Sequence, residues 1–124
     1  MSEKKKILIV EDEESLLKLE SILLTSKGYE VTGAKSGREA LEILKTEMPD
    51  LILLDIMLPE MDGFEVCRLI RSDMRTRHIP VVMLTAKKSR EDMERGEQVG
   101  ANWYITKPFK SSMVTETVKR FLEK

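Results

Sequence analysis

An alternation repeated five times constrains this chain more than any other feature: a short apolar run rich in β-branched residues, then a segment of helical period. The runs are "ILIV" (Ile7–Val10), "YEVTGA" (Tyr29–Ala34), "LILL" (Leu51–Leu54), "VVML" (Val81–Leu84) and "WYIT" (Trp103–Thr106). A run as short and apolar as Leu51–Leu54 reads as a strand buried on both faces. Between them Leu16, Leu19 and Leu23 recur at helical spacing, with Gly28 as a stop. A second helix carries Ala40, Leu41, Leu44 and Met48, opened by Ser36 and Glu39 at capping-box spacing. Val66, Cys67 and Ile70 mark a third, and Ser89 and Asp92 in "SRED" would cap a fourth. Val114, Val118, Phe121 and Leu122 give the last one a single apolar stripe. Strand–helix alternation of this kind predicts an α/β fold built on a five-stranded parallel sheet, in one domain over residues 1–124.

The fourth helix is the least well anchored. From Arg90 to Val99 only Met93 and Val99 are strongly apolar, and Gly96 costs about 1 kcal/mol relative to alanine. A helix with so little to bury is free to move.

Charge removes several function classes. With 21 basic and 22 acidic residues the net charge is -1, which gives no electrostatic case for nucleic acid or membrane binding. The single cysteine, Cys67, allows no internal disulfide, and its helical position makes it a core residue. After "MSEKKK" only Ile7–Val10 are apolar before acids begin, too short for a signal segment. A cytoplasmic protein is expected. His78 is the sole histidine and falls in the polar "RSDMRTRHIP" connection, so a histidine metal cluster is excluded.

The strand ends carry the chemistry. The first strand runs into Glu11-Asp12, the third into Asp55, the fourth into Thr85 and the fifth into Lys107-Pro108. Ligands of open α/β sheets collect beyond such carboxyl ends. If the first and third strands are neighbours, their carboxylates share one pocket and cannot all ionise without a counter-ion. Oxygen ligands without histidine or cysteine favour a hard cation, Mg²⁺ or Mn²⁺, and Lys107 adds a second positive charge. A carboxylate nucleophile beside a cation, a lysine and a hydroxyl suits phosphoryl transfer to aspartate. Taken singly, an acid after a strand caps a helix and a Lys-Pro makes a turn. Their joint placement at four strand ends is what points to function.

The motifs "ILIVEDE" (Ile7–Glu13), "DLILLDIMLPEMDGFEV" (Asp50–Val66), "VVMLTA" (Val81–Ala86) and "GANWYITKPF" (Gly100–Phe109) resemble those of two-component response-regulator receiver domains, in the same order and over essentially the whole chain. The resemblance implies a flavodoxin-like sheet of order 2-1-3-4-5 with five flanking helices. It implies that Asp55 is the phosphoacceptor, with Glu11 and Asp12 as the acidic pair. Asp12 and Asp55 would bind Mg²⁺ alongside the backbone carbonyl of Met57. Thr85 would supply the hydroxyl for the phosphoryl group, Lys107 its cationic partner, and Tyr104 the rotating aromatic. A cis Lys107-Pro108 bond is implied too. The implied partners are a sensor histidine kinase or histidine phosphotransferase and a downstream protein target, with a dimer through the fourth helix, fifth strand and fifth helix as one further arrangement. The chain departs from the family in Trp103, where an acid is common, and Met57 and Lys87 stand at positions that tune phosphoryl lifetime.

Three rival functions are weaker. An aspartate-based phosphatase of the haloacid-dehalogenase type needs an acid two residues after the nucleophile, where this chain has Met57. A flavodoxin-like cofactor binder needs a phosphate loop after Val10, where "EDEE" would repel phosphate. A phosphate-independent, receiver-like interaction module would not need every site residue intact. The chain ends at Lys124, directly after the last helix, which leaves open a single-domain regulator or the receiver of a longer one.

Overall fold

In the computed structural model, which describes residues 4–85, 90–107 and 110–123, the five apolar runs become strands. They are β1 (Lys6–Val10), β2 (Glu30–Ala34), β3 (Leu51–Asp55), β4 (Val81–Thr85) and β5 (Trp103–Thr106). All pair in parallel, in the order β2-β1-β3-β4-β5. The helices are α1 (Glu14–Ser26), α2 (Gly37–Ile43), α3 (Gly63–Ser72), α4 (Arg90–Val99) and α5 (Ser111–Leu122).

Side chains alternate along each strand and so divide between two cores. Leu8, Val10, Ile52, Leu54, Val81 and Met83 face α2 and α3, where Ala40, Val66, Cys67 and Ile70 are buried. Ile7, Ile9, Leu51, Leu53, Val82 and Leu84 face α1 and α5, where Leu24, Val114 and Val118 are buried. Each such aliphatic side chain contributes roughly 1.5–3 kcal/mol by leaving water. With both faces covered, β3 and β4 are buried along their whole length. This is why they read as unbroken apolar runs.

Two expectations are corrected. Leu19 does not face the core: it is 66 % exposed, and Leu16 and Leu23 are only half-buried. The positions of α1 that point fully inward are Glu20 and Leu24. With leucine or isoleucine at 16, 17, 19, 22, 23 and 24, apolar residues surround most of this helix, so spacing alone does not select its inner face. The second correction is Met48. Helix α2 stops at Ile43, with Leu44 as its cap, and Met48 is exposed. Pro49 disfavours helical backbone in the residue before it, and the chain leaves through turn bonds from Lys45 and Thr46 to the carbonyls of Glu42 and Ile43. The opening of α2 is as expected, since Ser36 Oγ accepts from the Glu39 amide at 3.1 Å. The Ser89 cap, Lys87 and the Lys107-Pro108 bond involve residues outside those described.

One side chain organises the far end of the sheet. The Arg71 guanidinium donates to the carbonyls of Gly100, Arg77 and Ile79 at 3.0, 3.1 and 2.7 Å. It also donates to Asn102 Oδ1 at 2.6 Å, and that oxygen accepts from the Val81 amide at 2.8 Å. The entry to β4 and the α4–β5 connection are thereby fixed to α3. Among the described residues, no helix is long and apolar enough to cross a membrane.

Candidate functional site at the carboxyl ends of β1, β3 and β5

The strand order reverses between β1 and β3, whose ends lie side by side with Val10 opposite Leu54. The residues that follow, Glu11-Asp12 and Asp55, therefore meet. Glu11, Asp12 and Asp55 each offer a carboxylate oxygen within 4.8 Å of the others, the one such acidic cluster among the described residues. Glu11 and Asp55 are buried, at 1 % and 4 % exposure, while Asp12 is exposed.

Lys107 balances part of this charge. Its ammonium lies 3.1 Å from Glu11 Oε1 and 3.1 Å from Asp55 Oδ2. The other Asp55 oxygen, Oδ1, accepts from the Met57 amide at 3.1 Å, and Glu11 Oε2 accepts from the Glu13 amide at 3.2 Å. Burial, then the neighbouring Asp55 carboxylate, push the Glu11 carboxyl up to about 7. Burial opposes the charge on Lys107, but Asp55 and Glu11 outweigh it and hold the lysine above its usual range. One ammonium among three carboxylates leaves the pocket short of positive charge. Clustered hard oxygens without nitrogen or sulfur donors fit a divalent cation such as Mg²⁺.

Thr85 ends β4 and is buried; its carbonyl accepts from the Lys107 amide at 2.6 Å, which ties the β4 end to the lysine. The Met57 side chain is exposed, and only its backbone is held at the site. Tyr104 stands apart from the acids, on the α4 side of the sheet. Its hydroxyl donates to the Met93 carbonyl at 2.9 Å, with Asp92 O at 3.4 Å. Trp103, its neighbour, is stacked under the Arg120 guanidinium of α5 at 5.1 Å.

Sequence reasoning missed two residues at the site. One is Gly63. As the first residue of α3 it packs on the Asp55 backbone, and a Cβ there would lie 2.4 Å from the Asp55 carbonyl oxygen. The "MDG" that opens α3, with Asp62 capping at 3.0 Å, was the available signal. Glu20 is buried on α1 with neither carboxylate oxygen hydrogen-bonded among the described residues. Burial, then the charge of Glu11, push it up to about 8. No local signal marks it, because a glutamate within a leucine-rich helix reads as a solvent-facing residue.

The model of the response regulator receiver domain family matches residues 7–119. The chain is 46 % identical over 120 residues to the alkaline phosphatase synthesis transcriptional regulatory protein PhoP of Bacillus subtilis, covering 97 % of this chain and 49 % of that protein. It is 43 % identical over 118 residues to the polar-differentiation response regulator DivK of Brucella ovis, covering 95 % of this chain and 96 % of that one. The chain thus spans about half of PhoP and nearly all of DivK. Among solved structures, the receiver domain of sensor histidine kinase PA1611 from Pseudomonas aeruginosa superposes with a TM-score of 0.90 at 33 % identity, covering 98 % of this chain and 100 % of that one. That structure has a magnesium ion coordinated in its active site cleft. Motif, sheet order and pocket agree with these matches, and the chain belongs to the response regulator receiver domain family.

Proposed function

We propose that this chain is a phosphorylation-dependent signalling switch in which Asp55 accepts a phosphoryl group from a phosphohistidine on a partner kinase or phosphotransferase. The observation that carries this reading is the Asp55 carboxylate held at 3.1 Å by Lys107 beside Glu11 and Asp12. In the transfer, an Asp55 oxygen forms a bond to phosphorus as the bond from phosphorus to the histidine nitrogen breaks. The electron pair stays on the imidazole.

The protein's own groups position and neutralise. Lys107 keeps Asp55 oriented and stands ready for an oxygen of the incoming group. The Met57 amide fixes the second Asp55 oxygen, so the carboxylate cannot turn freely. Glu11, Asp12, Asp55 and the backbone carbonyl of Met57 would hold Mg²⁺, or Mn²⁺ of the same hard class. When bound, the ion supplies positive charge for the phosphoryl oxygens. The Thr85 hydroxyl then hydrogen-bonds the phosphoryl group. Tyr104 passes that shift to the face formed by α4, β5 and α5, where a downstream protein target, or a second copy, binds. A cytoplasmic location suits the kinase partner.

Incubation with acetyl phosphate and Mg²⁺ should add one phosphoryl mass to the chain. Asp55→Asn should not take it up; full labelling of that variant would refute the assignment. A phosphatase of the haloacid-dehalogenase type is disfavoured because position 57, where it needs an acid, is an exposed methionine.

A further inference from the structure

The Tyr104 hydroxyl end rests on helix α4 at the point where residue 96 has no side chain. A Cβ on Gly96 would lie 1.2 Å from the Tyr104 hydroxyl oxygen, 2.4 Å from Cζ and 3.1 Å from Cε1. No real pair of atoms tolerates the first two distances, and both involve the rigid end of an aromatic ring. The tyrosine therefore reaches the Met93 carbonyl, at 2.9 Å, across the space the glycine leaves. Among the described side chains of α4, Gly96 occupies the one fully buried position, beneath that ring. The rest of the helix offers little else: Met93 is exposed and Val99 only half-buried. Glycine in mid-helix is unfavourable by about 1 kcal/mol against alanine, so nothing local calls for it here. Beside the ring lies an open cleft of about 590 Å³, bounded by Met93, Glu94, Glu97, Trp103 and Tyr104. It offers the ring a place to go.

We propose that Gly96 is a positioning residue for Tyr104: a seat in α4 that holds the ring against the helix backbone and so links the ring's position to that of the helix. Any larger residue at 96 evicts the ring into the cleft, whatever the state of Asp55. The seat rests on packing alone; its signalling consequence rests on the switch reading above.

Two measurements test it. The first is a thermal double-mutant cycle of Gly96→Ala, Tyr104→Ala and the double variant, with circular dichroism to confirm folding. In the Tyr104→Ala background, Gly96→Ala improves helix propensity and meets no ring, so it should raise the melting temperature. With Tyr104 present its effect should be less favourable by several degrees. An equal shift in both backgrounds would overturn the seat. The second is the nuclear Overhauser contact from the Tyr104 ring to the backbone protons of residues 93 and 96. It should be present in the wild type and lost in Gly96→Ala, and its survival in the variant would equally overturn the proposal. Adding beryllium fluoride with Mg²⁺ separates seat from switch. Wild-type Trp103 emission should respond, and Gly96→Ala should lose the response while acetyl phosphate still labels Asp55. A full response in Gly96→Ala would overturn the link between seat and signal. No response in the wild type would refute the switch reading, with the cycle and the ring contact still deciding the seat.

Discussion

Gly63 packs its α-carbon against the backbone of Asp55: a methyl there would sit 2.4 Å from the Asp55 carbonyl oxygen and 2.8 Å from the α-carbon of Ile56. The start of α3 is thus moulded onto the peptide that carries Asp55, and the Gly63 amide donates to the Ile56 carbonyl at 2.8 Å. Gly63→Ala should destabilise the fold by about 1–3 kcal/mol, the usual cost of overpacking. It should also slow phosphorylation, because the backbone that must yield is the one that aims Asp55. Urea denaturation and acetyl phosphate labelling check the two effects. Normal stability with normal labelling would show that the α3 start gives way instead.

Mg²⁺ should raise the melting temperature, since it binds only the folded pocket. Asp12→Ala should abolish most of that rise. Without metal the same variant should match or exceed the wild type, because it removes one of three carboxylates facing a single ammonium. Thermal melts with Mg²⁺ and with EDTA check both arms. A variant less stable in EDTA would mark Asp12 as structurally paired.

Glu20 should make the protein less stable as pH rises. Its carboxyl goes from 4.5 to about 8 on folding, so in that window the native state keeps a proton that the unfolded chain has released. Stability is greatest below the unfolded value and declines as pH climbs towards the folded one. Glu11, raised to about 7, acts in the same direction. Glu20→Leu removes a buried carboxyl that has no hydrogen-bond partner among the described residues and should stabilise by roughly 1–3 kcal/mol. It should also flatten the pH dependence, leaving the Glu11 share. Urea titrations at pH 5, 6.5 and 8, taken as roughly spanning the window, test this; an unchanged slope would mean that Glu20 finds a partner in solution.

Thr85→Ala should keep phosphorylation and blunt its consequence. Trp103 emission should change less on addition of beryllium fluoride and Mg²⁺ than in the wild type, and not at all in Asp55→Asn. Phosphate shifts such an equilibrium only through contacts that differ between the two states. An equal response in wild type and Thr85→Ala would remove the hydroxyl from the coupling.

The sequence by itself determined the element order, because Leu51–Leu54 of β3 and Val81–Leu84 of β4 are buried along both faces and had to be apolar. It also determined the α2 cap, a contact within four residues, and the set of polar strand ends. Motif resemblance supplied the strand order that brings Glu11, Asp12 and Asp55 together. Periodicity identifies residues that share a face but not the face that turns inward, so on α1 Leu19 lies exposed while Glu20 is buried. The reasons for Gly63 and Gly96 lie outside their own helices, in the Asp55 backbone and the Tyr104 ring. Close packing between segments distant in the chain leaves no local pattern, and only the tertiary structure decided those contacts.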